Sequence, residues 1–417
     1  MISQFSIDNS KVKILLISQS ISAGGAAIAT KRIFECLKSG NFNVKWIVAD
    51  KASNSDKNVV EMSYMRKKFS LFFSKIDWRI CRLIQPNNLE LQTAAFFGAL
   101  SARYINKSKV DIVNLHWVGH GLLSLRQINK IKKPIIWTMH DEWLLHEISH
   151  YEQNIHPSVS RNLLVDKCFA SLKTNRLKLK QKILCKDQVY IVCPSEQLAE
   201  KFRARFPQKC NKIFFIHNPV CMDEFFPVIS PNFSIADKRA LNSPIALYLG
   251  GTSNFRKGWD LLEGALDLID SPLVLLMSGN CDRKKLGKFS QIEIVNFKKV
   301  YDLETLRNLY SLANFVIVPS RNEAGGPQIA TEALSCGTPV VGFQIGSMPE
   351  IIEQDITGQL AKNQNIANLS ACILRMLGKS KEKYTYNCRQ NAQEKFSFSK
   401  ILRQYEVLLH TKIENVS

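Results

Sequence analysis

The amino-acid sequence predicts an α/β protein with two doubly wound parallel-sheet domains in one chain of 417 residues. Three observations support this prediction. The length suits two domains of about 200 residues each. Short apolar runs of strand length are followed by turns and then by segments with helical spacing, which is the rhythm of βαβ units. That rhythm stops at Asn218–Ser243, which carries several prolines and no sustained periodicity, and then starts again.

The first half contains the strands of one predicted sheet. Lys11–Ser18 has the apolar run of a fully buried strand, and Asn43–Ala49 is a second strand. Between them, the glycine-bearing turn Ser22–Ala27 precedes Ile28–Leu37, whose apolar residues recur with helical spacing. The other predicted strands of this half are Asp111–His116, Pro134–His140 and Gln188–Cys193.

The second half repeats the pattern after the linker. Its predicted strands are Ile245–Leu249, Leu273–Met277, Phe315–Pro319 and Pro339–Phe343, and the first leads through a glycine turn into a helix at Trp259–Leu268. We therefore predict an N-terminal domain at 1–220, a C-terminal domain at 221–395, and a helix at 396–417 that packs back on the first domain. Ligands of such sheets bind beyond the carboxyl ends of the strands, so we expect the site in a cleft between the two domains.

Composition excludes several classes of protein. Hydrophobic residues make up 45% of the chain and aromatic residues 9%, which fills two cores and excludes a disordered protein. No apolar run approaches the roughly 18 residues of a membrane span, and Met1–Ser10 lacks the basic-then-apolar order of a secretion signal. The eleven cysteines are scattered without a C-x-x-C pair, which predicts reduced thiols. We therefore expect a cytoplasmic protein.

The chain is strongly basic, with 56 lysines and arginines against 36 acidic residues and a formal net charge of +20. This charge favours polyanions, and nucleic acid, anionic lipid headgroups and phosphorylated substrates all qualify. Two basic segments have helical spacing, Lys173–Lys186 and the more apolar Met65–Lys75. Each is interpreted either as a solvated helix face or as a surface that rests on anionic membrane, at the cytoplasmic face of the inner or plasma membrane.

The segment Val318–Pro339 has the features of a ligand-binding loop. A strand is followed by a loop with Glu323, Gly325 and Gly326. The next residue is a proline suited to the first position of a helix, and that helix carries Glu332. Backbone N–H groups at the helix start and the two glycines would let phosphate or sugar oxygens approach closely. Carboxylates accept hydrogen bonds from vicinal diols, so a ribose or a hexose is a sensible ligand.

A second candidate segment is Gly250–Leu262. A strand leads into a glycine turn, and Arg256 and Lys257 stand just before the next helix. Two cations near a helix N-terminus suit a diphosphate, because they neutralise its charge and stabilise it as a leaving group. On its own, an Arg-Lys pair is an ordinary surface feature, so the interpretation depends on the surrounding turn.

Two predicted strands of the first half end in histidines. His140 lies in Trp137–Trp143, at the end of a buried strand where a polar residue has a functional reason to be, and His116 is the weaker candidate. An isolated histidine is more often a satisfied core residue. The pair Gly24 and Gly25 in the first turn would approach a phosphate or an acceptor through its backbone.

These segments together resemble the retaining glycosyltransferases of the GT-B fold. The likeness is greatest to the family-4 group (glycosyl transferases group 1) that acts in exopolysaccharide, capsule and O-antigen synthesis. It is most specific in EALSCGTPVV at 332–341 and GSMPEII at 346–352, and covers most of the chain. One departure is that eight residues separate Glu323 from Glu332, one more than is usual in the family.

The resemblance implies a GT-B architecture, with two Rossmann-like domains facing a central cleft, and a role for each matching residue. Glu332 would bind the ribose of the donor nucleotide, and Glu323 would hold hydroxyls of the donor sugar. His140 would face that sugar, and Arg256 with Lys257 would take the diphosphate. The implied catalytic residues are His140 and Glu323, and the implied donor-binding residues are Arg256, Lys257, Glu332, Gly325, Gly326, Gly24 and Gly25.

The resemblance also implies a reaction. A hexose-type sugar would move from a UDP- or GDP-linked donor to a hydroxyl of a glycan or lipid-linked acceptor, in cell-surface polysaccharide synthesis. The acceptor attacks the face from which the nucleoside diphosphate leaves, and the departing phosphate oxygen takes the proton. No metal or other cofactor is expected, and we see no Asp-x-Asp motif in a strand-end loop.

A zinc hydrolase is a competing hypothesis, because His146-Glu-Ile-Ser-His150 is a literal H-E-x-x-H motif. On a helix, His146 and His150 would share one face with Glu147 as the base, and His156 falls at the spacing of a third ligand. Against this, Gln153 stands where the extended motif needs glycine, and the following residues have the character of a loop.

Two further alternatives remain open at this stage. The net charge of +20 would suit a nucleic-acid binder. However, the sequence contains no recognised RNA- or DNA-binding module, and we expect no nucleic-acid partner. Sugar-nucleotide epimerases share the GT-B architecture and differ in consuming no acceptor, so they keep the fold but change the chemistry.

Overall fold

The structure is a computed structural model. It describes residues 8–22, 24–50, 56–85, 91–151, 163–231, 243–281, 289–297, 299–300 and 302–413. The chain forms two compact units, one of Met1–Ile216 with Leu402–Ser417 and the other of His217–Ile401. The predicted motif residue His156 lies outside the described residues.

The first unit is built on a parallel sheet of seven strands. Its strands are β1 (Lys13–Ser18), β2 (Asn43–Val48), β3 (Val59–Glu61), β4 (Ile112–Leu115), β5 (Ile135–Thr138), β6 (Val189–Cys193) and β7 (Ile213–Phe215), in the order β3-β2-β1-β4-β5-β6-β7. Its helices are α1 (Gly25–Ser39), α2 (Tyr64–Ile84), α3 (Ala102–Lys107), α4 (Leu125–Asn129), α5 (Leu163–Leu184) and α6 (Glu196–Arg205). Every residue of β4, β5 and β6 is buried, as expected for a parallel sheet covered on both faces.

The second unit is built on a parallel sheet of six strands. Its strands are β8 (Ile245–Tyr248), β9 (Leu273–Ser278), β10 (Ile292–Phe297), β11 (Phe315–Val318), β12 (Val340–Phe343) and β13 (Gly358–Ala361), in the order β10-β9-β8-β11-β12-β13. Its helices are α7 (Trp259–Asp267), α8 (Leu303–Leu312), α9 (Gln328–Ser335), α10 (Met348–Ile351), α11 (Ile366–Leu377) and α12 (Glu382–Phe396). A last helix, α13 (Phe398–Ile413), ends in the first unit, where Asn9 hydrogen-bonds Glu406 and His410 at 2.9 and 2.8 Å.

The predicted fold class is confirmed, since each unit has the doubly wound parallel sheet. In each sheet the strand order reverses at one place, between β1 and β4 in the first and between β8 and β11 in the second. The loops that leave the two strands at such a point diverge to opposite faces and open a crevice for ligands. The segments that the sequence singled out follow these strands or, for His140, the adjacent β5.

Two local expectations need correction. Pro327 is the N-cap residue of α9 rather than its first helical residue, and the helix ends at Ser335. The motif at 146–150 forms bends and an isolated β-bridge at Ser149 rather than a helix, so the helical face that a zinc H-E-x-x-H site requires does not exist there. Gly337, two residues beyond the end of α9, adopts the left-handed conformation that favours glycine, with φ of 71°.

Gly258 allows two loops of the second unit to touch. Its φ is 71°, and a Cβ atom there would lie 2.0 Å from the carbonyl oxygen of Pro319. Only glycine combines this left-handed conformation with so close a backbone approach. The loop after β8 therefore packs directly on the loop after β11, and the backbone N–H of Arg321 donates to the carbonyl of Arg256 at 2.8 Å.

We predict that Gly258→Ala lowers the thermal unfolding midpoint, because the new methyl group must push the two loops apart. Left-handed strain alone costs about 1–3 kcal/mol, or several degrees for a domain of this size. Gly378→Ala is the matched control, since its φ is ordinary and no atom lies within 4 Å of its added Cβ. Equal midpoints for the two variants in differential scanning fluorimetry would contradict this account of the loop contact.

Candidate functional site

Three charged residues meet where the loops after β8 and β11 touch. Nζ of Lys257 donates to Oε1 of Glu323 at 2.8 Å, and Nη1 of Arg256 donates to the same oxygen at 3.3 Å. Arg256 also donates to the carbonyl of Asn322 at 3.0 Å. Glu323 is buried, and both cations are four-fifths buried. Residues predicted from two separate motifs therefore form one cluster, which we call the Arg-Lys-Glu cluster.

Burial and charge act in opposite directions in this cluster. Burial alone would raise the pKa of Glu323, but the charges of Lys257 and Arg256 outweigh it and hold that pKa below its usual value. Burial also lowers the pKa of the Lys257 ammonium, against the attraction of the Glu323 carboxylate. The carboxylate is thus ionised and shared by two cations, which leaves one net positive charge in the cluster.

The backbone of Glu323 is held by a residue that sequence reasoning missed. The carbonyl oxygen of Glu323 accepts hydrogen bonds from Ser347, from the backbone N–H at 3.0 Å and from the hydroxyl at 2.7 Å. Ser347 is fully buried. The preceding Gly346 has φ of 51°, and a Cβ atom there would lie 2.5 Å from the Glu323 carbonyl oxygen. In sequence the GSMPEII motif indicates only a family likeness, but its first two residues position the loop that carries Glu323.

The two loop glycines also have assignable positions. The carbonyl of Gly325 accepts from Nδ2 of Asn218 at 2.8 Å, and Asn218 is buried. Gly326 has φ of 75°, which places it in the left-handed region just before α9. The start of α9, where backbone N–H groups point outward, therefore stands next to the Glu323 loop.

Glu332 is hydrogen-bonded to a tyrosine of a neighbouring helix. Its Oε2 accepts from the hydroxyl of Tyr310 at 2.6 Å, and both side chains are buried. Tyr310 comes from α8, so this hydrogen bond ties α8 to α9. Nothing in the local sequence marked Tyr310, because a tyrosine on an amphipathic helix is ordinarily a core residue.

In the first unit, the two predicted histidines contact each other. Nδ1 of His116, after β4, lies 3.1 Å from Nε2 of His140, after β5, and their rings stack at 5.3 Å. Burial, reinforced by the neighbouring His140, lowers the pKa of His116 far below its ordinary value. Burial lowers the pKa of His140 to about 4, against the opposing charge of Asp141. Both imidazoles are therefore neutral near pH 7, and one must donate to the other.

The predicted glycine turn lies at the reversal point of the same sheet. Gly24 is the N-cap of α1 with φ of 86°, and Gly25 is the first residue of that helix. No atom lies within 4 Å of a Cβ built at either glycine, so a ligand has room to approach the backbone. Asp50, which the sequence did not mark, anchors this turn by accepting from the backbone N–H of Ile21 at 3.0 Å.

The H-E-x-x-H residues have structural partners instead of a shared face. Nδ1 of His150 lies 2.6 Å from Oδ2 of Asp141, and its ring stacks on Trp143 at 5.9 Å. His146 lies 3.3 Å from Oε2 of Glu142. Within the described residues, no group of three histidine, cysteine or acidic side chains could hold a metal ion.

A buried lysine holds this loop in place. Lys180 of α5 donates to the carbonyl oxygens of Trp143, His146 and Glu147, at 2.6, 2.9 and 3.1 Å. Its ammonium also lies 3.9 Å from the centroid of the Trp143 ring. The lysine was predicted as part of a basic surface segment, but it is fully buried and serves the fold.

Comparison with known proteins gives two family matches, one in each unit. The family described as Glycosyltransferase Family 4 matches residues 23–224, and the one described as Glycosyl transferases group 1 matches residues 243–379. Together the two matches take in most of the chain.

Individual relatives are distant. An uncharacterized glycosyltransferase of Methanocaldococcus jannaschii is 26% identical over 228 residues, which are 51% of this chain and 58% of its own length. An uncharacterized 41.2 kDa protein in the cps region of Klebsiella pneumoniae is 22% identical over 72% of this chain and 78% of its own length. The solved structure of Anabaena HepE in complex with UDP has a TM-score of 0.64 at 13% identity, covering 96% of this chain and all of that one.

We predict a pH dependence of stability that originates at His140. The unfolded imidazole takes up a proton below its ordinary pKa of about 6.5, whereas the folded one stays neutral down to about 4. Stability is therefore lost as pH falls through this window. The free energy of unfolding, measured in urea, should therefore fall more between these pH values for the wild type than for His140→Gln. Parallel pH profiles for the two proteins would show that His140 is not held neutral by the fold.

Proposed function

Because the chain belongs to the family-4 and group 1 glycosyltransferases and has their GT-B type of fold, we propose that it transfers a hexose from a UDP- or GDP-linked donor to a glycan or lipid-linked acceptor. We propose further that the anomeric configuration is retained and that no metal takes part. The observation that carries this proposal is the Arg-Lys-Glu cluster at the reversal point of the second sheet.

The cluster suits the diphosphate of the donor. Phosphate oxygens that approach Lys257 and Arg256 would share these cations with Glu323, and the net positive charge favours their binding. As the bond to the sugar breaks, negative charge grows on the leaving phosphate. Preorganised cations in a mostly buried site stabilise that charge without solvent rearrangement. The departing phosphate oxygen would take the proton of the attacking hydroxyl, so no separate base is required.

The neighbouring groups would hold the rest of the donor. Glu323 would accept hydrogen bonds from sugar hydroxyls, and the N–H groups at the start of α9 stand beside its loop. Glu332, fixed by Tyr310, would take the ribose hydroxyls. His140, a neutral imidazole oriented by His116, would hydrogen-bond a hydroxyl of the bound sugar. Gly24 and Gly25 would present backbone N–H groups to a donor or acceptor oxygen.

The comparisons favour particular substrates. The structure of HepE is a complex with UDP, which supports a uridine nucleotide as donor. The relative in a cps region supports a role in cell-surface polysaccharide synthesis. We propose that the reaction occurs in the cytoplasm, where cysteines are ordinarily kept reduced.

We predict that Lys257→Ala and Glu332→Ala each lower turnover by about 10²- to 10³-fold, the range seen when one charge-stabilising or donor-binding group is removed. Lys362→Ala, at an exposed lysine of the same unit, is the matched control. The assay is release of nucleoside diphosphate from UDP- and GDP-hexoses with a glycolipid extract as acceptor source, in the presence of chelator.

Each variant must still be folded at the assay temperature, which its unfolding midpoint checks, because removing a buried charge or hydrogen-bond partner is expected to lower that midpoint. Wild-type turnover in a folded Lys257→Ala protein would remove the cluster from the donor site. Conversion of the sugar nucleotide without release of diphosphate would identify an epimerase instead. Proton NMR of the new glycosidic bond tests retention of configuration.

A further inference from the structure

Helix α2 has an outer face that combines large apolar side chains with cations. Exposed fractions are 58% for Met65, 49% for Phe69 and 57% for Phe72, values that large apolar side chains rarely reach as a group. Lys68, Lys75 and Arg79 are exposed on the same face. At 100° per residue these six side chains fall within about a third of the helix circumference. We call them the α2 surface.

The opposite face of α2 fixes the helix to the first unit. Ser70, Asp77, Cys81 and Ile84 are buried and recur at intervals of seven, four and three residues, which puts them on one side. Oδ2 of Asp77 accepts from the backbone N–H of Ala94 at 3.2 Å. The helix therefore cannot turn its outer face inward without breaking these contacts. Asp77 is the only acidic residue of α2, so the outer face carries no negative charge.

The apolar patch extends beyond the helix. Phe69 stacks on Phe73 with ring centroids 6.1 Å apart, and Phe73 stacks on Phe97 at 5.5 Å. Phe97 is itself 45% exposed, and Trp78 on the flank of α2 is 55% exposed. Aromatic side chains next to lysines and arginines are typical of helices that lie in the headgroup region of a bilayer.

The other basic segment lacks these properties. Of the cations in α5, Arg176 and Lys180 are buried, Lys180 in its hydrogen bonds to three loop carbonyls and Arg176 over the ring of Phe96 at 4.3 Å. The exposed cations of α5, such as Lys178 and Lys182, are not interleaved with exposed aromatic residues. The structure thus separates two segments that looked alike in sequence.

We propose that the α2 surface docks the protein onto a bilayer rich in anionic lipid, with the phenylalanines in the interface and the lysines at the headgroups. Charge favours this occupant over a second copy of the chain, since two proteins of net charge +20 repel each other. The apolar side chains at the centre of the patch favour a bilayer over a free polyanion, because a fully hydrated partner would leave them in contact with water. The link to a lipid-linked acceptor rests on the proposed function, but the docking itself does not.

Within the described residues, no helix combines the length and apolar character needed to cross a bilayer. In the proposed contact α2 lies along the membrane surface, because its buried residues stay packed on the first unit. A helix of 21 residues is about 30 Å long, so the α2 surface can engage several lipid headgroups at once.

The test is flotation of the full chain with vesicles of phosphatidylcholine containing about 30 mol % phosphatidylglycerol. The wild type should float with these vesicles, float weakly with pure phosphatidylcholine, and be partly released by about 0.5 M NaCl. Phe69→Gln/Phe72→Gln and Lys68→Gln/Lys75→Gln should each weaken partition by at least about tenfold. Lys178→Gln/Lys182→Gln removes the same charge from α5 and should float like the wild type.

Three results would overturn the proposal. The first is equal flotation of the wild type and both α2 variants, provided the variants keep the wild-type unfolding midpoint. The second is an equal loss in the α5 control, which would show that net charge alone binds the vesicles. The third is a dimer that depends on the α2 surface, seen by light scattering without vesicle binding.

The docking proposal and the proposed function fail separately. Hydrolysis of a UDP- or GDP-hexose in solution, without vesicles, tests the donor site and does not involve α2. A protein that floats through α2 but cleaves no sugar nucleotide keeps the docking proposal and loses the proposed function. The opposite outcome leaves a glycosyltransferase whose α2 surface does not bind membranes.

Discussion

The buried carboxylate of Glu323, shared by Lys257 and Arg256, is the interaction on which the second unit's candidate site depends. It joins the loops that follow β8 and β11, which are 66 residues apart in sequence. Removing one partner of a buried ion pair typically costs about 3–5 kcal/mol, because the remaining charge is left unpaired. The Gly258 contact and the Ser347 hydrogen bonds serve the same arrangement, since they fix the backbone on both sides of the carboxylate.

This arrangement explains how a binding site for a diphosphate can be stable when no ligand is bound. Two mostly buried cations with no counter-ion would repel each other and carry a large desolvation cost. Glu323 offsets that cost, yet leaves a net positive charge for a diphosphate. The first unit avoids the cost of burying charged groups in another way. His116 and His140 are kept neutral by burial and share one hydrogen bond.

The sequence was informative where a local pattern has one physical explanation. Continuous apolar runs predicted the central strands, because strands buried on both faces have no polar side. The edge strands β3, β7, β10 and β13 were missed, since they are short or only half-buried. Glu323 and Lys257 were each predicted to bind a ligand. Their contact with each other could not be predicted, because it joins segments that are distant in sequence and neither local pattern indicates it. The same holds for Ser347, Tyr310 and Lys180.

Calorimetric titration with a nucleoside diphosphate and the matching monophosphate tests the central claim most directly. The claim is that the Arg-Lys-Glu cluster binds the second phosphate of the donor. For the base that the wild type prefers, the diphosphate should bind more tightly than the monophosphate, and Lys257→Met should abolish most of that difference while leaving monophosphate binding unchanged. If Lys257→Met keeps the full preference for the diphosphate, the cluster is a structural ion pair and the donor phosphates bind elsewhere.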